Sequence, residues 1–293
     1  SITFRKKLYK IKNLINFKLK IMKNLKNINI SSHEQHPFHL VDPSPWPLFT
    51  SASALSLTLS IVSYFHFFMH GWVHLVLSLV LLSFNLYLWF SDIVTEATFE
   101  GHHTFKVQQN ILFAMALFIT SEVMFFFSFF WAFFHFSLSP SIFIGGIWPP
   151  EAIHPLSWQA IPLLNTCLLI VSGVFLTLSH KCVLLGKYVG ALHGLVATIV
   201  FGAIFTCFQA YEYVNATFSM NDSVYGSIFY MTTGFHGIHV LIGTIFLIVC
   251  AVRMFFGHFF KNHHIGFTCA AWYWHFVDVV WIFLFLTVYI WGG

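Results

Sequence analysis

Long apolar stretches, separated by short polar segments, follow one another along most of the chain. Seven of them are long enough to cross a membrane as helices, since one span takes about 20 apolar residues. We predict spans over residues 48–68, 73–97, 106–138, 159–181, 187–215, 224–256 and 265–290. The third and sixth exceed the length of a perpendicular span, so we expect them to tilt or to project from the bilayer.

Composition supports an integral membrane protein over a soluble one. Hydrophobic residues make up 58% of the 293 positions and charged residues only 8%, whereas soluble domains carry roughly 25% charge. So few charges cannot cover a water-soluble surface. We therefore predict an all-α, polytopic membrane protein with seven transmembrane helices.

Basic residues are concentrated at the start of the chain. Nine of the fourteen Lys and Arg residues lie in the first 26 positions, with no acid among them. We treat residues 1–35 as a basic N-terminal extension and residues 36–293 as the membrane domain. Two interpretations of the extension stay open: a basic helix lying on an anionic membrane surface, and a solvated tail.

The remaining cations fix an orientation. With seven spans, all of them fall on the same side as the N-terminus: Lys106, Lys181, Lys187, Arg253 and Lys261. Cytoplasmic and matrix-side loops are the ones enriched in Lys and Arg. The pattern predicts an N-terminus on the cytoplasmic or matrix side and a C-terminus across the membrane.

Eighteen histidines raise the hypothesis of haem or copper ligation. His236 and His239 are three residues apart and share one helix face, and His275 lies near the middle of the last span. Most other histidines fall at predicted helix ends, so we favour structural roles. The cysteines form no CxxC or CxxxC pair, which argues against a zinc ribbon or a dithiol motif.

Glu122 lies near the middle of the third span, in ITSEVMFFFSFFWAFFH. An ionised carboxylate is costly in hydrocarbon, so we expect this acid to be protonated. Thr120, Ser121 and Ser128 are neighbours that offer hydrogen bonds. Two roles remain open at this point: a proton-relay or channel-lining acid, and a neutral acid bonded to another helix.

Asp278 is the second acid deep in a predicted span. It follows His275 by three residues in WYWHFVDVVW, so the two side chains share a helix face. We predict a structural hydrogen-bonded pair between His275 and Asp278.

Several stretches, in order from residue 36 to the end, resemble the subunit III family of cytochrome c oxidase. They include HPFHLVDPSPWPL, ATFEGHHTFKVQ, SEVMFFFSFFWAFFH, GGIWPPEAIHPL, QAYEY, DSVYGSIFYMTTGFHGIHVLIGTIFLIVCAVR and NHHIGFTCAAWYWHFVDVVWIFLF. The resemblance implies that helices 1–2 are separated from helices 3–7 by a V-shaped, lipid-filled cleft. It also implies a mitochondrial inner-membrane protein, with its N-terminus in the matrix and its C-terminus in the intermembrane space.

The same resemblance implies an accessory core subunit without a redox centre. Its expected partners are subunit I, which holds the haem–copper site, subunit II and accessory subunits. It is expected to stabilise subunit I, to hold structural phospholipids, to support proton uptake and to give oxygen a route inward. No metal and no catalytic residue is expected in this chain.

Individual residues also carry over from the family pattern. Glu122 matches the family's carbodiimide-reactive membrane carboxylate, which moves the balance toward a protonated, packed acid. Lipid head-group contacts map onto Glu96, His103, Arg253 and His258. Basic residues expected near the cleft are replaced in this sequence at four positions: Ser91, Thr95, Leu112 and Phe256.

Two alternatives belong to other functional classes. An electron carrier would use His236, His239 and His275 as metal ligands. An independent proton or solute transporter would centre on Glu122, but the sequence shows neither an internal repeat nor a single unwound site.

Overall fold

The computed structural model describes residues 36–151 and 153–293. The predicted basic extension, residues 1–35, lies outside the described residues. The chain divides into two units, residues 1–40 and 41–293. The described part of the first unit, residues 36–40, contains no helix, and every helix below belongs to the second unit.

Seven long apolar helices occupy the described part of the second unit, which confirms the predicted span count. They are α1 (Trp46–Phe65), α2 (Gly71–Thr95), α3 (Phe105–Leu138), α4 (Ile161–Leu184), α5 (Tyr188–Asn215), α6 (Ser223–Phe255) and α7 (Ile265–Leu284). Short π-helical segments, Glu96–Glu100 and Phe285–Trp291, extend α2 and α7. The 34 residues of α3 make a helix about 50 Å long at 1.5 Å per residue.

Backbone conformation explains where two helices end. The first helix ends at Phe65, before the predicted boundary, because Phe67 and His70 adopt left-handed φ angles of 56° and 63°. An α-helix cannot continue through such residues. The fourth continues beyond its predicted end and stops at Leu184, before Gly186 with φ of +73°, a conformation that glycine adopts without steric cost.

Helices α1 and α2 form an antiparallel pair joined by small polar side chains. The hydroxyls of Ser60 and Ser78 lie 2.6 Å apart, and Asn85 Nδ2 donates to Ser53 Oγ at 3.3 Å. Within the described residues, neither helix makes an extensive contact with α3–α7. The pair is therefore held mainly by its own interface.

The other five helices form a bundle whose core is α7. It packs against α4, α6 and α3, while α5 lies between α4 and α6. Trp274 is fully buried and its Nε1 donates to Ser172 Oγ at 2.9 Å. Its ring lies against Gly202 of α5 and Gly243 of α6, where a Cβ would approach ring carbons to 2.5 and 3.0 Å. Glycine at both positions lets three helices close around one indole ring.

Candidate functional site

Glu122 of α3 pairs with His239 of α6. Its Oε2 lies 2.9 Å from His239 Nε2, and 22% of the Glu122 side chain and 11% of the His239 side chain are exposed. The imidazole is surrounded by aromatic rings, with Phe126 edge-on at 5.0 Å and Tyr273 stacked at 6.3 Å. The acid in the middle of α3 is therefore joined to another helix inside an apolar, aromatic environment.

The second nitrogen of the imidazole constrains where the proton lies. His239 Nδ1 is 2.6 Å from the Phe235 carbonyl oxygen, and a carbonyl only accepts, so Nδ1 carries a hydrogen. In a neutral imidazole Nε2 is then an acceptor, and the Glu122 carboxylic acid must donate to it. The alternative, imidazolium and carboxylate, has the same net charge of zero. In either form the membrane encloses no uncompensated charge at this site.

The hydroxyls expected to bond Glu122 are engaged elsewhere. Thr120, Ser121 and Ser128 donate to carbonyls of their own helix, at 2.9, 2.6 and 2.7 Å. Short hydroxyl side chains on a helix readily bond the carbonyl three or four residues back. The hydrogen-bond partner of Glu122 comes instead from another helix, which was one of the two roles left open by the sequence.

The three histidines of the electron-carrier alternative bond to three different groups. His236 Nε2 donates to the Val277 carbonyl at 3.1 Å, His239 bonds Glu122, and His275 Nε2 lies 3.4 Å from Thr177 Oγ1. Ligands of one metal ion need nitrogens that converge on a common point. These histidines instead cross-link separate pairs of helices.

His275 and Asp278 lie on the same side of α7, as their spacing predicted, but they do not bond each other. His275 faces Thr177, and no other described residue donates a hydrogen bond to the Asp278 carboxyl group. Both line a groove beside Gly173, where an added Cβ would lie 3.1 Å from Asp278 Oδ2. The predicted direct pair is absent from the described contacts: His275 bonds Thr177 through Nε2, while Nδ1 and Asp278 Oδ2 both lie beside Gly173 without a hydrogen bond between them.

The four predicted lipid head-group residues fall on two segments that meet. Arg253 at the end of α6 donates from Nη2 to Thr98 Oγ1 at 3.3 Å, and the ring of His258 lies edge-on to Phe99 at 5.4 Å. These contacts join the end of α6 and the loop that follows it to the π-helical extension of α2, which begins at Glu96. His103 follows that extension, in the turn before α3.

Arg253 is a partly enclosed cation on the N-terminal side of the bundle. Its guanidinium carbon lies 4.6 Å from the ring centre of Phe259, and its Nε is buried without a hydrogen-bond partner. Among the described residues no carboxylate forms an ion pair with it. Burial, with the Arg253 cation nearby, lowers the pKa of His263 in the following loop. The site thus presents positive charge that these residues do not neutralise, as an anion-binding site requires.

Sequence reasoning missed a buried carboxyl group on α5. Glu212 is 3% exposed and accepts a hydrogen bond from the Tyr289 hydroxyl at 2.6 Å. The signal was its position on the buried face of α5, one turn beyond Gln209 and two turns beyond Phe205. That spacing of three and four residues identifies a core-facing position.

Comparisons with known proteins agree with this architecture. A family described as "Cytochrome c oxidase subunit III" matches residues 36–293. Proteins named "Cytochrome c oxidase subunit 3" from Arabidopsis thaliana and Marchantia polymorpha are 52% and 51% identical, over 89% and 90% of this chain and 98% and 100% of their own lengths. The protein of that name from Osphranter robustus is 49% identical over 89% of this chain and 100% of its own length.

The match covers all seven helices, both segments around Arg253 and the Glu122–His239 pair. Identity is near one half on average over nearly the whole length of each relative. The chain belongs to the cytochrome c oxidase subunit III family.

Proposed function

We propose that this chain is an accessory core subunit of a respiratory terminal oxidase and carries no redox centre of its own. In this proposal oxygen reduction, cytochrome c oxidation and proton pumping take place in the complex. The chain stabilises subunit I, in an assembly that also contains subunit II and accessory subunits. The supporting observation is the family match along residues 36–293, which includes every helix.

Its second role in this proposal is to hold phospholipid between the α1–α2 pair and the α3–α7 bundle. The two groups of helices pack little against each other in the described residues, which leaves lateral surface for acyl chains. Arg253 lies where they meet, bonded to Thr98, and a phosphate would supply the negative charge it lacks. Glu96, His103 and His258 complete the proposed head-group site.

Four positions near the proposed cleft, where the family resemblance led us to expect basic residues, carry uncharged side chains in this chain, so Arg253 has to supply more of the positive charge. Thr95 donates from its hydroxyl to the Ser91 carbonyl at 3.0 Å, and neither side chain brings charge. Leu112 and Phe256 are apolar. We infer that Arg253 provides most of the attraction for phosphate here, and that Lys106, in the first turn of α3, adds to it.

In this proposal the role of Glu122 is structural. The hydrogen-bonded pair of Glu122 and His239 has no net charge, and it links α3 to α6. Its support of proton uptake is indirect, through the packing of helices beside subunit I. Oxygen reaches subunit I through the lipid that the chain holds.

We place the protein in the mitochondrial inner membrane, with its N-terminus in the matrix and its C-terminus in the intermembrane space. Support comes from the cations outside the first 26 residues, which all lie near helix ends on the N-terminal side. Matrix-facing loops retain Lys and Arg because moving them across the membrane is disfavoured.

Two variants, each lacking one positive charge, test the lipid role. Arg253→Gln removes the cation at the proposed head-group site, and Lys261→Gln removes one from the loop nearby. Mass spectrometry of the intact purified complex should show loss of tightly bound anionic phospholipid for Arg253→Gln and wild-type lipid content for Lys261→Gln. Equal lipid content in both variants would overturn the head-group assignment.

Selective removal of the chain tests the oxidase role. We expect the remaining complex to reduce oxygen at first and then to lose activity within fewer turnovers than the intact complex. Adding the purified chain back should restore the lifetime. An unchanged lifetime after removal would contradict the stabilising role.

A further inference from the structure

A groove runs along the outer surface of the bundle between α4 and α7. It has a volume of about 370 Å³, and it extends along α4 from Ile170 to Lys181. Eleven residues of helix rise make it about 16 Å long, or three turns. Gly173 lies in the groove wall, and Val174 at its edge is 56% exposed. Gly173 is itself buried against His275 and Asp278, so this glycine lets α4 and α7 approach each other closely at the base of the groove.

Apart from Lys181 at one end, the polar side chains that line this groove lie near the middle of the membrane. Asp278 is thirteen residues from both Ile265 and Trp291, the ends of α7 with its extension. His275 and Thr177, bonded to each other at 3.4 Å, line the groove beside it. Neither Asp278 oxygen accepts a hydrogen bond from another described residue; Oδ1 is fully enclosed, so Oδ2 is the oxygen that can be reached from the groove. Even a protonated carboxyl group leaves hydrogen-bonding capacity unused there, which is costly in hydrocarbon.

Depth decides what kind of molecule can satisfy Asp278. A phospholipid carries its polar groups at the interface, about 20 Å along the helix from this residue by the rise of thirteen positions. An acyl chain would fill the groove but offers no hydrogen bond. A transmembrane helix, by contrast, can place an amide, a hydroxyl or a cation at any depth.

We propose that the groove between α4 and α7 is the docking site for a transmembrane helix of a partner subunit, which presents a side-chain hydrogen-bond donor to Asp278. The proposal rests on the proposed function, because it assigns the face by which this chain joins the oxidase. Asp278 and the groove beside Gly173 then determine the position of the partner helix along the membrane normal.

Two variants that each add a bulky side chain to α4, one inside the groove and one outside it, test the docking surface. Val174→Trp places an indole in the groove, whereas Val171→Trp adds the same bulk to an exposed position of α4 outside it. The amount of chain retained on the purified oxidase in mild detergent should fall several-fold for Val174→Trp and stay near wild type for Val171→Trp. Equal retention of the two variants would overturn the proposal, as would loss of a bound lipid from Val174→Trp without loss of retention.

A second variant keeps the proposal testable if Val174→Trp fails to accumulate in the membrane. Asp278→Leu keeps a branched side chain but removes the carboxyl group. Because that group has no hydrogen-bond partner among the described residues, the full-length isolated chain should be at least as stable to heat in detergent as the wild type, while retention on the oxidase falls. Lower stability of the isolated chain with normal retention would show an internal role and overturn the proposal.

Different results would contradict the proposed function and the docking site. If the wild-type chain does not co-purify with a haem–copper oxidase, the proposed function fails. If the wild type co-purifies, and Val174→Trp and Asp278→Leu are both retained on the oxidase as well as the wild type is, only the docking site is wrong.

Discussion

Glu122 Oε2 and His239 Nε2 are 2.9 Å apart and join α3 to α6. The His239 ring is fixed from the other side by its hydrogen bond to the Phe235 carbonyl. A carboxylic acid that donates to a neutral imidazole meets the hydrogen-bonding needs of both groups without separating charge in the membrane. The carboxyl group therefore has a structural partner, and proton transfer is not needed to account for its presence.

Replacement of Glu122 by Gln should leave assembly and oxygen reduction largely intact. The Gln amide has nearly the same shape, and its N–H can donate to His239 Nε2 as the protonated acid does. Oxygen consumption of the purified complex checks this. A large loss of electron-transfer rate in an assembled Glu122→Gln complex would contradict the structural role.

Replacement of Glu122 by Leu gives the complementary result. His239 Nε2 would lose its partner in an aromatic environment, at a cost of about 1–3 kcal/mol for an unsatisfied buried group. The temperature at which the chain unfolds should therefore fall below that of Glu122→Gln. Identical unfolding temperatures would mean that the hydrogen bond contributes nothing.

Glycine at the Trp274 contact should be necessary for packing of the bundle. Gly202→Ala would place a Cβ 2.5 Å from a ring carbon of Trp274, an overlap that costs about 1–3 kcal/mol in a packed core. Gly237→Ala is the control, because an added Cβ there has no neighbour within 4 Å. Thermal unfolding should show a destabilised Gly202→Ala and a neutral or stabilised Gly237→Ala. The reverse order would refute this account of the core.

The sequence was sufficient to predict where the helices lie, but it did not predict which residues form hydrogen bonds between them. Hydropathy located all seven spans, because a membrane imposes a minimum apolar length, and errors were confined to ends such as Phe65 and Leu184. It also marked Glu122 as unusual, but its partner His239 is 117 residues away in the chain. Spacing along one helix predicted the His275–Asp278 bond, yet Thr177 of another helix takes the contact with His275. Contacts between helices depend on rotation and register, which hydropathy does not specify.

The buried Glu212 should depend on the Tyr289 hydroxyl. Tyr289→Phe removes the donor to Glu212 Oε1 and leaves a buried acceptor unsatisfied, which costs about 1–3 kcal/mol. Tyr87→Phe, at an exposed position of α2, is the matched control. Thermal unfolding of both variants is the measurement. Equal stability would show that the Glu212 carboxyl group finds another donor.

His263 should make stability depend on pH. Its pKa in the folded protein is lowered from 6.5 by burial and by the nearby Arg253 cation, so below about pH 6.5 the unfolded chain binds more protons than the folded one. Stability should therefore rise with pH up to this value and then level off. His263→Gln should flatten the rise. An unchanged pH profile in His263→Gln would exclude this residue as a source of the dependence.

The most direct test of the central claim is the composition of the complex purified through this chain. Isolation in mild detergent, followed by a visible spectrum and metal analysis, should give haem and copper together with subunit I. Subsequent dissociation should give the chain free of haem and copper. A chain that purifies apart from any haem–copper oxidase, or that retains stoichiometric haem or copper after dissociation, would contradict the account.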